Sequence, residues 1–167
     1  MLLGEYRETD ANVILNWINS ERGFRLWSAD RYKSYPVTSE DINNNYQECM
    51  KSGDFYPLTL EDDGKIIGHL ILRDPDGSNS VLRLGFVIVD ASIRGKGYGK
   101  KLLQETIKYA QDKFDIHRFS LGVFTVNESA LKCYQSVGFR IIDTVKDSYK
   151  FYDESWDCAE LVLREII

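Results

Sequence analysis

Apolar residues recur along this chain with two periods, one helical and one strand-like. Residues 2–7 read as a short first strand. Thr9 or Asp10 then caps a helix in which Val13, Ile14, Trp17 and Ile18 fall at helical spacing. The segment 21–36 holds neither period. Phe24, Trp27, Tyr32 and Tyr35 alternate loosely with Arg22, Arg25, Arg31 and Lys33, and an irregular aromatic stretch is expected. Thr38 with Asp41 has the pattern of a capping box and opens a polar helix to about Lys51. Residues 55–61 and 65–73 alternate as strands around Asp62-Asp63-Gly64, a hairpin turn, and Asp74-Pro75-Asp76-Gly77 marks the next turn. Residues 81–89 carry the strongest strand pattern. A helix over about 97–114 follows, with Leu102, Leu103, Ile107 and Ala110 on one face. A strand at 118–126, a short helix at 129–137 and strands at about 139–152 and 157–164 complete the chain. Antiparallel hairpins followed by a strand–helix–strand–helix–strand run predict an α/β fold with a mixed sheet.

Composition narrows the possibilities. The chain has 167 residues, 43% apolar and 13% aromatic, which suits one domain over 1–167 with a single substantial core. A net charge of −5 excludes nucleic-acid binding by overall charge, so any anion site must be a local basic cluster. Charge appears too early for a secretory leader and no apolar run approaches a membrane span, so a soluble, cytoplasmic protein is expected. Cys49, Cys133 and Cys158 are widely spaced, and His69 and His117 have no Cys or carboxylate at ligand spacing, so neither a disulfide framework nor a metal is expected. No G-x-S-x-G elbow supports a serine nucleophile.

Candidate chemistry lies directly after the strongest strand. Arg94-Gly95-Lys96-Gly97-Tyr98-Gly99-Lys100-Lys101 joins it to the amphipathic helix, and residues 91–104 contain no acid. Glycines let the backbone turn tightly and turn N–H groups toward a ligand, and the helix N-terminus adds a positive dipole end. This is the pattern of a phosphate cradle; the plainer reading is a solvated Gly/Lys turn. A P-loop is excluded, because Arg94 stands at its first glycine and Lys101 at its Ser/Thr. The dinucleotide fingerprint fails because Lys100 stands at its third glycine. Arg94-x-x-Gly97-x-Gly99 remains.

That stretch resembles the acyl-CoA pyrophosphate loop of the GNAT acetyltransferase superfamily. A second segment, Asn127-x-x-Ala130-x-x-x-Tyr134-x-x-x-Gly138-Phe139, resembles that superfamily's next motif, in the right order. The resemblance implies a strongly twisted mixed sheet of about seven strands, splayed near its middle, with helices on both faces. It implies an acetyl-CoA-dependent N-acetyltransferase, without metal, in which a primary amine attacks the thioester directly in a ternary complex. The acceptor would be a protein N-terminus or a small amino-acid-like amine, and the enzyme a monomer or homodimer with no nucleic-acid or membrane partner. A non-catalytic CoA-binding or sensing module on the same fold is the alternative.

Residue roles follow from the same resemblance. Backbone groups of Val87, Ile88 and Val89 would hold the pantetheine and thioester. Arg94, Gly95, Lys96, Gly97, Tyr98, Gly99 and Lys100 would form the phosphate loop, and Lys132 would join the CoA-binding set. Asn127 would bond pantetheine, or cap the helix that follows it. Tyr134 would give a proton to the departing thiolate; on residue type alone it reads as a core tyrosine. His69 reads as a core histidine with possible reach to the acceptor side. The segment 21–36 falls where the superfamily builds its acceptor pocket.

One departure is informative. Many members carry a glutamate eleven residues before the loop's first Arg or Gln, where this chain has Arg83, and others one at the position of Val123. Neutralising a lysine-type amine at pH 7 takes roughly 4.6 kcal/mol, and an α-amine only about 1 kcal/mol. A missing carboxylate base therefore points to a low-pKa amine. Strand alternation places Arg83 on the face of Gly85, Val87 and Val89 unless a bulge intervenes. There it would anchor an acidic group on the acceptor; alternatively it pairs with an acidic side chain of the protein.

Overall fold

The computed structural model describes residues 1–164; the last three residues of the expected domain lie outside this range. Its elements are β1 (Leu2–Glu5), α1 (Asp10–Leu15), α2 (Glu21–Ser28), α3 (Ser39–Met50), β2 (Phe55–Asp62), β3 (Lys65–Arg73), β4 (Leu82–Val89), α4 (Tyr98–Phe114), β5 (Arg118–Phe124), α5 (Glu128–Val137), β6 (Arg140–Phe151) and β7 (Glu154–Arg164). The Thr38 box forms as expected: Asp41 N–H donates to Thr38 Oγ1 at 3.2 Å, and Thr38 N–H donates to Asp41 Oδ2 at 2.8 Å.

Three expectations are corrected. Segment 21–36 is not wholly irregular, because Ser20 Oγ accepts from Gly23 N–H at 3.0 Å and starts a two-turn helix. Its far end is closed by the buried Arg25, which donates to the carbonyls of Ala29 and Tyr32. The helix is amphipathic, but its pattern lasts only two turns, and Gly23 and the arginines disguise it. Helix α1 stops at Leu15, leaving Trp17 and Ile18 beyond its end. Strand β7 begins at Glu154, not at residue 157, because a tight turn with Tyr152 at φ 52° joins it to β6.

The seven strands form one sheet in the order β1-β2-β3-β4-β5-β7-β6. All neighbours are antiparallel except β4 and β5, which α4 joins as a parallel crossover. That central pair is registered only at Leu82↔Phe119 and Arg83↔Ser120. Beyond these residues the strands separate, and the sheet opens into a wedge.

Strand β4 also carries a bulge. His69 pairs with Ile88 and Ile71 with Gly85, so β4 has one residue more than β3 in this interval, with Phe86 at φ 51°. The extra residue reverses which side chains face each way. Leu82 and Leu84 pack with Leu102 and Leu103 of α4, whereas Phe86 and Ile88 pack on the opposite face with Phe24 and Trp17. Val87 and Val89 join the α4 side. Each fully buried leucine of that core contributes roughly 1.5–3 kcal/mol relative to exposure. In the C-terminal half, the wholly buried Trp156 stacks with Tyr149 and Phe151, with the Arg22 guanidinium 5.4 Å from its ring centroid.

Candidate active site

The wedge between β4 and β5 forms the wall of a cleft of about 650 Å³, closed on its other sides by α2, the end of α1 and the start of α5. Of the residues singled out in the sequence, Arg83, Val87, Ile88, Arg94, Asn127 and Tyr134 line it together. The remaining loop residues, Gly95 to Lys100, follow Arg94 in the chain and do not themselves line the cleft. Val89 packs under α4, and Lys132 lies exposed on α5 outside the cleft.

The loop is built by backbone conformation. Gly95 and Gly97 have φ of 78° and 87°, a region that strains any side chain with a Cβ. Gly97 is the N-cap of α4 and offers no side chain to its first N–H groups. These groups therefore need an outside acceptor, at the positive end of a 17-residue helix with no acid in its first turn. Arg94 does structural work here, its Nε donating to the Val89 carbonyl at 3.1 Å and its Nη2 to the Trp17 carbonyl at 3.3 Å. Lys96 and Lys100 are exposed, whereas Lys101 pairs with Glu105 at 2.7 Å. Free N–H groups, left-handed glycines and local cations suit a pyrophosphate. Gly99 answers a different need: a Cβ there would lie 3.1 Å from Cys133 Sγ, so its hydrogen lets α5 pack against α4.

Helix α5 carries Tyr134 into the cleft. Asn127 stands just before this helix with φ −85° and ψ 68°, and its side chain makes no cap hydrogen bond. Asn127 thus holds the N-cap position without capping through its side chain, which accepts only from Ser129 Oγ at 3.5 Å, and it lines the cleft. Tyr134 is 7% exposed, its ring edge-on to Phe139, and no described residue hydrogen-bonds its hydroxyl. Burial holds the phenol well above its ordinary pKa, so it keeps its proton at neutral pH.

The other end of the cleft departs from the expected picture. Because of the bulge, Arg83 shares a face with Gly85, Phe86 and Ile88, not with Val87 and Val89. Its side chain crosses Gly122 of β5, where a Cβ would lie 2.9 Å from Nη2, and reaches Glu160 of β7. There it forms a two-pronged ion pair, with Nη1 to Oε1 at 2.5 Å and Nη2 to Oε2 at 3.0 Å, while Nη1 also donates to Ser120 Oγ. His69 lies elsewhere. It is fully buried, its Nδ1–H donating to the Leu58 carbonyl at 2.9 Å and its Nε2 accepting from Tyr46 at 2.8 Å. Burial lowers its pKa to about 4, and it serves the core.

Segment 21–36 was expected at the acceptor pocket, but the roles of its residues, and Arg73, were not read from sequence. Trp27 of α2 donates Nε1–H to the Phe86 carbonyl at 2.9 Å and packs on the Phe86 ring, fixing the bulge. Arg31 and Arg73 line the cleft beyond Arg83. Arg22 and Glu21 tie α2 to the β6–β7 turn through Glu154 and Tyr152. The arginine-rich 21–36 segment hinted at the first and last of these features. Arg73 became visible only with strand register, which sets it opposite Arg83. Among the described residues no group of three or more His, Cys, Asp or Glu could hold a metal ion, and no helix is long and apolar enough to cross a membrane.

Comparison with known proteins bears on this arrangement. Over 112 residues the chain is 29% identical to a spermine/spermidine N(1)-acetyltransferase of Bacillus subtilis, covering 64% of this chain and 72% of that protein. Over 86 residues it is 30% identical to an L-amino acid N-acetyltransferase of Escherichia coli, covering 50% of this chain and 52% of that one. Its fold matches the crystal structure of spermidine N-acetyltransferase from Vibrio cholerae in complex with CoA and spermine, with a TM-score of 0.81 at 16% identity, covering 98% of this chain and 94% of the other. The model of the acetyltransferase (GNAT) family matches residues 20–139. With that match spanning the α2 wall, the bulged strand, the glycine loop and the helix of Tyr134, the chain belongs to the GNAT acetyltransferase family.

Proposed function

We propose that the protein transfers the acetyl group of acetyl-CoA to a primary amine, either a protein N-terminus or a small amino-acid-like molecule, by direct attack in a ternary complex. The observation that carries this reading is the wedge itself. At one end stands a glycine loop with unpaired N–H groups, at its wall the unpaired edge of β4, and beside it a buried, protonated tyrosine.

In this reading Tyr98, Gly99 and Lys100 hold the pyrophosphate by their N–H groups, with Lys96 and Lys132 adding charge. Backbone groups of Val87, Ile88 and Val89, with Asn127, hold the pantetheine, and an N–H from β4 polarises the thioester carbonyl. The amine nitrogen bonds to the acyl carbon, the carbon–sulfur bond breaks, and the sulfur takes a proton from the Tyr134 hydroxyl, which solvent restores through the open cleft. The amine gives up its own proton to solvent, which suits an acceptor of low pKa. Arg83, paired to Glu160, positions the strand edge at the acceptor end.

The test is a thioester-consumption assay with acetyl-CoA over a panel of amines, the products identified by mass. An increment of one acetyl group on an amine, with stoichiometric release of CoA, is expected. CoA binding without transfer to any amine would instead establish the non-catalytic module.

A further inference from the structure

The cleft is unusually positive for an acidic protein. Four arginines (Arg31, Arg73, Arg83 and Arg94) and one carboxylate, Asp30, line it, and all but Arg94 stand at its acceptor end. Two of those arginines are committed. Arg94 is bonded to backbone carbonyls, and Arg83 is neutralised by Glu160.

Arg73 is different. It sits directly opposite Arg83 across β3 and β4, and like charges at paired positions on one face repel. Among the described residues no carboxylate forms an ion pair with it. Burial lowers its pKa, Arg83 and then Arg31 push the same way, and Cys49 and Glu160 act against them. Arg31, at the end of the α2 segment, completes the cluster with its guanidinium 5.1 Å from the Phe86 ring centroid and one donor on Cys49 Sγ. Arg31 and Arg73 also line a second, smaller hollow, which they share with Glu48, Asp54 and Asp74, so only the cleft side of the pair is free of neighbouring acids other than Asp30. A half-buried guanidinium beside two other arginines, with no ion-pair partner among the described residues, can hold an anion that enters from the cleft.

We infer that Arg73, with Arg31, binds an anionic group of the acceptor, so that the enzyme selects amines carrying a carboxylate several bonds away and disfavours polyamines. This rests on the acetyl-transfer reading above and narrows its acceptor. The spacing sets the chemistry. Arg83 and its partner Arg73 lie four residues along β4 from Val87, one of them the bulge's extra residue, or about 10 Å at strand rise. Even with a guanidinium reaching back, a carboxylate on the carbon that bears the amine is too close to it. The side-chain carboxylate of glutamate, or the C-terminus of a dipeptide, fits better.

The experiment compares kcat/KM for L-glutamate, L-glutamine, alanyl-alanine, its C-terminal amide and spermidine. The parent is set beside Arg73→Met, Arg73→Lys and Arg31→Gln. Calorimetry on the CoA-saturated protein measures affinity for the N-acetylated products, which needs no turnover. The parent is expected to favour each carboxylate over its neutral match by at least tenfold. Arg73→Met should remove that preference by raising KM with kcat nearly kept, Arg73→Lys should restore part of it, and Arg31→Gln should weaken it less. Product affinity should fall in parallel. Acetylation of spermidine as fast as of the carboxylates, or an equal loss for charged and neutral acceptors in Arg73→Met, overturns this inference and leaves acetyl transfer standing. Failure of the parent to acetylate any amine overturns both. Because Arg31→Gln alters the site from a different element, the outcome does not depend on Arg73→Met folding.

Discussion

Buried polar residues in this protein divide by what satisfies them. His69 has both ring nitrogens bonded within the core, and its pKa of about 4 lies below the ordinary 6.5. Between those values the unfolded chain binds a proton that the folded one refuses, so stability falls as pH drops through this window. The loss is about 1.4 kcal/mol per pH unit and roughly 3 kcal/mol by pH 4, with no further contribution below. Urea unfolding from pH 7 to 4 should show this slope in the parent and lose it in His69→Gln. Tyr134 is the opposite case, a buried hydroxyl that no described residue hydrogen-bonds and that faces the cleft. Tyr134→Phe should lower kcat ten- to a thousand-fold with acetyl-CoA affinity little changed. An unaltered kcat, with chemistry shown to limit the rate, would remove its role as proton donor.

Among the elements, the junction of α4 and α5 is the tightest point with functional reach, because Gly99 meets Cys133 one residue before Tyr134. Gly99→Ala should leave overall stability within about 1 kcal/mol, a better helix former offsetting the crowding. It should still depress kcat several-fold by displacing α5, and Cys133→Ala in the same chain should restore most of the loss. A double-mutant cycle on kcat reads this directly; independent effects would show that the contact does not position Tyr134. Elements were legible in the sequence where a period or a cap ran long enough, as in α3, α4 and the β2–β3 hairpin. Helix α2 was hidden because its amphipathic pattern lasts only two turns and its glycine and arginines read as loop composition. The loop of Arg94 to Lys100 and the helix of Tyr134 could be read because each role is tied to a local run of residues. Arg73 could not, since its significance depends on facing Arg83 across two strands. The bulge was equally invisible: nothing in Leu84-Gly85-Phe86-Val87 announces a left-handed phenylalanine, which Trp27 secures from 59 residues away.

At the scale of the molecule, the two halves of the sheet meet through two registered pairs, the Arg83–Glu160 bridge, the contact of α4 with α5 and the ties of α2 to the β6–β7 turn. A ligand seated in the wedge would touch both halves. Saturating CoA at a hundred times its dissociation constant should therefore stabilise the fold by about 2.7 kcal/mol, seen as a rise of several degrees in Tm. Gly97→Val should lose most of that rise, because the φ of 87° at the head of α4 excludes a β-branched side chain. A full rise in Gly97→Val would place the ligand elsewhere. The opened seam also bears on how such a sequence can diverge. Its walls present peptide groups, which nearly every residue supplies alike, so a cosubstrate held there constrains the sequence very little. The acceptor end is assembled instead from individual side chains on α2, β3 and the β4 root. Substitution at a few of these positions can redirect the enzyme to a new amine while the acyl donor stays the same, and exchanging Arg31 and Arg73 is the shortest such route in this chain.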